Sequence, residues 1–384
     1  DGRWEARYTL GIDPGTGKQI QKSVYGKTQR EVRQKLTAIT AEIDSGTFTQ
    51  EDKTTVEQWL NIWLNEYMGD KKYGTIRNYK NACRYHIIPY IGQCRLSDLK
   101  PHMIQTLYNR LQHGEDDKPP LSPKTIRNVH GVLSKALNQA VLNEMIRLNP
   151  AQLTTLPRKV QKDIQTLTDE QIKQFFVVVE RDSYRSILKF ILFSGVRESE
   201  AIGLTWDCID FERGTIRIYH QLLQRPKSAG GYTLAPLKND RERLLTPPPT
   251  LLALLKERKH EQMQQRMKAG LAWHGWGSAE EQNTWFVFTT EFGDHYCPQT
   301  VYDHFKRIAR QIGAEKANVH SLRHTYAVLC LQNGDDVKTV QSNLGHATAA
   351  FTLDVYGHVS EKMRQDSANR MEAYLQRTIF GRQA

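Results

Sequence analysis

Cysteine is scarce: Cys83, Cys94, Cys208, Cys297 and Cys330 are the only five in 384 residues. Their number is odd and no two stand in a Cys-x-x-Cys spacing. Neither a disulfide framework nor a zinc cluster is expected, and the usage suits a reducing compartment. No apolar run is long enough to span a bilayer. The opening DGRWEARYTL does not read as a signal peptide, so the expectation is a cytoplasmic protein with no membrane partner. Also missing are a Walker phosphate loop and a cluster of carboxylates arranged to hold Mg²⁺, so no nucleotide or metal cofactor is expected. Acidic charge is in deficit, with 42 Asp and Glu against 53 Lys and Arg, a net charge of +11. Basic residues spread along the whole chain favour a polyanionic partner, nucleic acid before membrane, over a merely solvated basic surface. The length is too great for one core, and two or three domains are expected.

Three segments stand out. The first, residues 1–50, has extended stretches RWEARYTLGI and QIQKSVYG around the turn DPGTGK. Thr28 then precedes Glu31 by three residues, the spacing of a capping box, and opens a helix that ends near Gly46. The expectation is a small three-stranded sheet backed by one helix. Arg3, Arg7, Lys18, Lys22 and Lys27 make it basic, suited either to a DNA groove or to plain solvation. The second segment, residues 54–157, reads as an all-helical bundle. Val56, Trp59, Leu60, Trp63, Leu64 and Tyr67 form an apolar stripe at helical spacing, most of its aromatics best explained as core. Two of its helices share an arrangement, Thr75-Ile76-Arg77-Asn78 and Thr125-Ile126-Arg127-Asn128. A hydroxyl near a helix start followed by an exposed arginine, with Lys80 and Lys124 close by, suits DNA phosphates or ordinary capping. NPAQLTTLPRKVQKDIQ reads as a linker. The third segment, residues 165–384, is mainly helical, with strands or a hairpin between Arg213 and Pro247. The whole is a multidomain α+β chain.

The third segment carries the chemistry. Glu200 follows Arg197 by three residues, a spacing that lets the carboxylate orient the guanidinium on a helix. Apolar flanks on both sides place that arginine beside a buried element. Farther on, HSLRH sets His320, Arg323 and His324 within little more than one turn. The i,i+4 imidazoles allow a metal reading, but no third ligand has an obvious place, and Arg323 would sit as a cation beside the ion. An anion site is the stronger reading: Arg323 offers a planar fork to phosphate oxygens, and His320 a tunable donor or base. His346 in LGH and Tyr356 in VYGHV follow. A tyrosine hydroxyl, with a pKa of about 10, becomes a nucleophile only where cations and hydrogen bonds stabilise its phenolate.

Arg197-x-x-Glu200, a hairpin lysine, His320-x-x-Arg323, Leu-Gly-His346 and Tyr356, in that order, resemble the tyrosine recombinases, or phage-type integrases. Among these the chain looks most like the conjugative-transposon integrases. The resemblance implies an arm-type DNA-binding domain over residues 1–50, a core-binding domain over 54–157, and a catalytic domain over 165–384 with a C-terminal tail helix. It implies that Arg197, Arg323 and His346 hold the scissile phosphate, that His320 assists proton transfer, and that Glu200 orients Arg197. Tyr356 would attack, leaving a 3′-phosphotyrosyl bond, and strands would exchange through a Holliday junction. The general acid falls on Lys238, with Lys227 its rival; His358 is read as structural support. The implied partners are core and arm sites on double-stranded DNA, a homotetramer exchanging C-terminal tails, and accessory excision or DNA-bending proteins. Two alternatives stand beside this: a non-enzymatic DNA-binding protein and a type IB topoisomerase-like strand transferase.

Overall fold

The computed structural model describes residues 2–12, 17–44, 53–115, 118–159, 164–237, 242–275, 285–345 and 361–378. The chain divides into two compact units, Asp1–Gln161 and Lys162–Ala384. Both combine helices with small antiparallel sheets or bridges, a mixed α+β fold.

The first unit opens with strand β1 (Trp4–Ile12) paired antiparallel to β2 (Gln19–Gly26). The described residues thus form two strands where the sequence suggested three. DPGTGK is the one Pro/Gly-rich break in the sequence of this stretch, and a single break separates two strands, not three. Helix α1 (Gln29–Asp44) packs on the pair, opened as expected at Thr28. The Glu31 N–H donates to Thr28 Oγ1 at 3.2 Å, and the Lys27 N–H to Glu31 Oε2 at 2.9 Å.

Helix α2 (Val56–Glu66) starts with a capping box between Thr55 and Gln58, and buries Val56, Trp59, Leu60, Trp63 and Leu64. Tyr67 lies just past its end and is exposed, its hydroxyl accepting from Asn143 at 2.6 Å. The apolar stripe therefore stops one turn earlier than its sequence pattern. Helix α3 (Tyr73–Ala82) widens into a π-helical segment, Cys83–Ile87, before α4 (Ile88–Ile91). Pro89 explains the wider turn, because it cannot donate a helical hydrogen bond and its ring crowds the preceding turn. Helices α5 (Pro101–His113) and α6 (Pro123–Leu142) complete the bundle, and the Trp59 indole N–H donates to the Ala136 carbonyl of α6 at 2.9 Å.

In the second unit α7 (Asp169–Val179) is capped by Thr168, and α8 (Arg185–Ser194) runs through the core with six of its ten residues buried. Short α9 (Glu198–Ile202) follows. Strands β3 (Ile209–Asp210), β4 (Thr215–Ile218) and β7 (Arg243–Leu245) form one sheet, and β5 (His220–Gln224) with β6 (Tyr232–Pro236) a separate hairpin. RGTIRIYHQLL therefore breaks at Tyr219 into strands of two sheets. The charged helix α10 (Pro249–Ala269) still buries Leu251, Leu255, Arg258 and Gln262. Arg258 and Gln262 are buried because they satisfy carbonyls of Val287, Thr289 and Phe286. Helices α11 (Pro298–Gln311), α12 (Val319–Gln332), α13 (Val337–Leu344) and α14 (Glu361–Thr378) complete the chain, and α12 packs along α8.

Trp59 is 2% exposed and spends its one polar atom on α6. Truncation to alanine removes the ring and leaves a cavity, so Trp59→Ala should cost the first unit about 3–5 kcal/mol. Urea unfolding, followed at constant m-value, measures this; a loss below about 1 kcal/mol would show that the site refills.

Candidate active site

The site begins where α8 ends. Gly195 adopts φ +64, and a Cβ there would sit 2.2 Å from a ring carbon of Tyr326 on α12. Only glycine fits this left-handed turn against an aromatic ring. The turn buries Val196 and brings Arg197 to the start of α9 with its side chain 32% exposed.

Glu200 reaches back to that start. Its carboxylate accepts the Arg197 backbone N–H at 3.0 Å and the Arg197 Nη1 at 2.6 Å. It also accepts Nη2 of Arg243, from β7, at 2.5 Å, and Nη1 of the same arginine at 3.4 Å. Glu200 is 1% exposed. Burial alone would raise its pKa, but the Arg243 charge and hydrogen bond, followed by Arg197, overcome it and hold the carboxyl at about 2. The group is a fixed carboxylate at neutral pH.

Helix α12 supplies the second guanidinium. Its first turn is closed by a capping box between Asn318 and Ser321. Its Thr325 hydroxyl donates to the Ser321 carbonyl and accepts the Leu167 N–H at 2.9 Å, which ties the chain before α7 to this turn. Arg323 is 1% exposed. It donates Nη1 to the Gly195 carbonyl at 2.8 Å and Nη2 to the Leu344 carbonyl at 2.7 Å. Arg197 donates Nη2 to the next carbonyl, Gly345, at 3.3 Å. Two arginines 126 positions apart thus meet at the C-terminal end of α13.

One turn before Arg323, His320 is exposed along one side, and its ring meets that of His324 edge-on at 4.6 Å between centroids. The protein packed around the rest of the His320 ring, and then the Arg323 and Arg197 charges, disfavour the imidazolium and lower its pKa to about 4. Burial, then His320 and Arg323, lower His324 likewise to about 4. Both rings are neutral near pH 7. A neutral imidazole beside two guanidiniums can accept a proton while the cations hold an anion. Among the described residues no group of three His, Cys, Asp or Glu side chains is placed to hold a metal ion.

The structure therefore brings together Arg197, Glu200, Arg323 and His320, with His324 behind. Lys238, His346, Tyr356 and His358 lie outside the described residues. Lys227 is exposed in the turn between β5 and β6. Sequence reasoning missed Arg243 as part of the cluster. Arg243 stands five residues past Lys238 in an Arg-Leu-Leu strand, and nothing local in the sequence ties it to Glu200.

The residues expected to meet DNA fall in the first unit. Arg3 and Arg7 are exposed, and Arg7 pairs with Glu5 at 3.3 Å. Lys22 is half-buried opposite Tyr8, while Arg7 stands opposite Ser23, so the two basic residues point to different faces of the sheet. Strand alternation decides this. Thr75 and Thr125 are each the third residue of their helices, and the Ser122 side chain caps α6. Arg77, Lys80 and Lys124 are exposed. Arg127, expected to be exposed, is instead half-buried, with Nε donating to the Pro157 carbonyl at 2.9 Å, because the linker folds back onto α6.

Residues 165–363 match the phage integrase family, and residues 55–112 match the N-terminal SAM-like domain of phage integrases. The first match spans more than half of the sequence, and the chain belongs to the phage integrase family, tyrosine recombinases that catalyse DNA strand exchange. It is 27% identical to a XerC-like tyrosine recombinase of Caldanaerobacter subterraneus subsp. tengcongensis, over 94% of each chain. It is 21% identical to the ICEBs1 integrase of Bacillus subtilis (strain 168), over 98% of each. Among solved structures, the Tn1549 transposon integrase in complex with a circular intermediate DNA superposes with a TM-score of 0.67 at 21% identity. That match covers 83% of this chain and 99% of the other. A lambda integrase tetramer bound to a Holliday junction gives 0.56 at 17% identity, covering 91% and 93%. These likenesses are likenesses of fold.

The histidine pair makes stability depend on pH. An imidazole whose folded pKa lies near 4, below its ordinary 6.5, binds its proton more readily once unfolded. Stability should be complete above about pH 6.5 and fall as the pH drops toward 4. His324→Asn should flatten that fall, measured as Tm against pH; an unchanged slope would show that His324 does not stay neutral in the folded protein.

Proposed function

We propose that this chain is a site-specific DNA recombinase of a mobile element, an integration and excision enzyme that works through a 3′-phosphotyrosyl intermediate. The observation that carries the reading is the cluster itself: two guanidiniums, one oriented by a buried carboxylate, beside an imidazole neutral at pH 7. Such a cluster matches the charge of a phosphodiester in its pentavalent transition state.

In this reading Arg197, Arg323 and His346 hold the non-bridging oxygens, and Glu200 fixes Arg197. The Tyr356 oxygen attacks phosphorus, losing its proton toward His320. A bond from tyrosine oxygen to phosphorus forms as the bond to the 5′-oxygen breaks. Lys238 protonates that leaving oxygen, with Lys227 the rival. The 5′-hydroxyl of the partner duplex then attacks the phosphotyrosine, tyrosine leaves, and a second round resolves the Holliday junction. One phosphodiester is exchanged for another, so the chemistry needs no nucleotide hydrolysis.

The same reading divides the chain into an arm-binding segment, residues 1–50, a core-binding segment, 54–157, and a catalytic segment, 165–384. Four protomers would act on two duplexes, with the tail helix of one docking on the next. Accessory excision or DNA-bending proteins would set direction. Solved relatives described as a transposon integrase with circular intermediate DNA and as a tetramer on a Holliday junction support this reading. The net charge of +11 supports a DNA partner.

Nicked suicide duplexes carrying the ends of the element that encodes the chain test the chemistry. The wild-type protein should form an SDS-resistant adduct, and Tyr356→Phe should bind the same duplex without forming one. An adduct at normal yield would move the nucleophile to another tyrosine, Tyr326 or Tyr374. Arg197→Lys and Arg323→Lys should each slow single-turnover cleavage by about a hundredfold or more, since lysine keeps the charge but loses the planar fork. Wild-type rates would remove the phosphate clamp.

Deleting residues 1–50 should leave core-site cleavage intact and weaken binding to a second, distant site. Affinity there should fall with salt by a slope of roughly 0.9 per phosphate neutralised. Equal footprints on both sites from the truncated protein would refute the arm-binding assignment.

A further inference from the structure

Three consecutive carbonyls close α13, and each is held by a guanidinium from a different element. Arg243 of β7 donates Nε to Asn343 at 2.8 Å, Arg323 of α12 donates to Leu344 at 2.7 Å, and Arg197 donates to Gly345 at 3.3 Å. The last carbonyls of a helix have no partners within it and carry the negative end of its dipole. Here the proposed phosphate-binding arginines are two of the three that satisfy them.

The third, Arg243, occupies a core-facing strand position. Along β7, Arg243 and Leu245 are buried and Leu244 is exposed, and Arg243 pairs with Ile218 in β4. An aliphatic side chain is the ordinary occupant of such a position, and replacing buried ion pairs by well-packed apolar groups is often neutral for stability. The fold alone does not call for arginine there. The cluster does: the Arg243 guanidinium bridges the Glu200 carboxylate and the Asn343 carbonyl. Its Nη1 also lies 3.0 Å from where a Cβ on Gly345 would stand, and Gly345 has φ +64. The guanidinium is thus packed against the turn that ends α13.

We infer that Arg243 is a positioning residue for strand cleavage, holding Arg197 through Glu200 and holding the Asn343–Gly345 turn directly. The inference rests on the reading of Arg197 and Arg323 as the phosphate clamp. Without Arg243, Glu200 would remain buried with Arg197 as its remaining guanidinium partner among the described residues. Its carboxylate would then be less favoured, and the partly exposed Arg197 would lose its rigid support.

The test uses the full chain and the suicide duplexes, with the single-turnover rate constant, the active fraction and the duplex Kd measured separately. Arg243→Gln should lower the rate constant about tenfold or more, with Kd changed less than about twofold. The ratio of its rate to wild type should fall further between about pH 8 and pH 5, because a buried carboxyl stripped of a cation titrates in that range. His320 and Arg197 face Glu200 in both proteins. Glu198, on the same helix and raised by burial to about 7, titrates in both and drops out of the ratio. The double variant Arg243→Met with Glu200→Gln, which carries neither charge, should give a ratio independent of pH. Arg243→Lys keeps the charge but lacks the planar fork whose Nε and Nη2 reach Asn343 and Glu200 from fixed positions, and should fall between; it serves as the reading if Arg243→Gln fails to fold. Wild-type rate and pH profile in the active fraction, with only that fraction reduced, would overturn the inference and leave Arg243 as packing. Wild-type cleavage by Arg197→Lys would instead overturn the phosphate-clamp reading, whatever Arg243 does.

Discussion

A carboxylate with almost no access to solvent sits between two guanidiniums, and the geometry of the second unit's site follows from keeping it ionised. Burying Glu200 costs solvation, and the fold offsets that cost with Arg243 on one side and Arg197 on the other. Because Glu200 also accepts the Arg197 backbone N–H, the same group that orients the guanidinium starts α9. Local helix capping and the direction of the Arg197 side chain are one arrangement here. An exposed pair at this spacing would contribute little and would point nowhere in particular.

The end of α13 is the second constraint. Helix ends must satisfy their last carbonyls, and this one does so with arginines from three separate elements rather than with solvent. That choice draws α8, α9, β7 and α12 together around one turn. It also explains the glycines: Gly195 lies against Tyr326, and Gly345 against Arg243, each with φ +64, where a side chain would meet both strain and a neighbour. The arrangement holds all three guanidiniums in fixed positions around that turn.

The helices were largely legible, since the capping signal at Thr28 and the apolar periodicity of α2 are local. So were Arg197 with Glu200, and His320 with Arg323, because three-residue spacing on a helix leaves the partners adjacent. Errors arose where a local pattern met a neighbour that sequence does not name. Arg127 resembled Arg77 in its motif, yet the returning linker binds it at Pro157. Tyr67 continued the apolar stripe but falls past the helix end and is exposed. Lys22 and Arg7 both counted as basic sheet residues, and strand register put them on opposite faces.

Sequence alone determined what can be decided within about one helical turn or by net charge: where helices begin, which charged side chains stand next to each other on a helix, and a basic balance that favours a polyanionic partner. Tertiary structure alone decided that Arg243 belongs with Glu200, 43 positions away, and that Arg197, Arg323 and Arg243 converge on the end of one helix. The reason is physical. A buried charge is tolerated only where the fold supplies its partners, and those partners are chosen by packing across the core, which leaves no periodic signature along the chain.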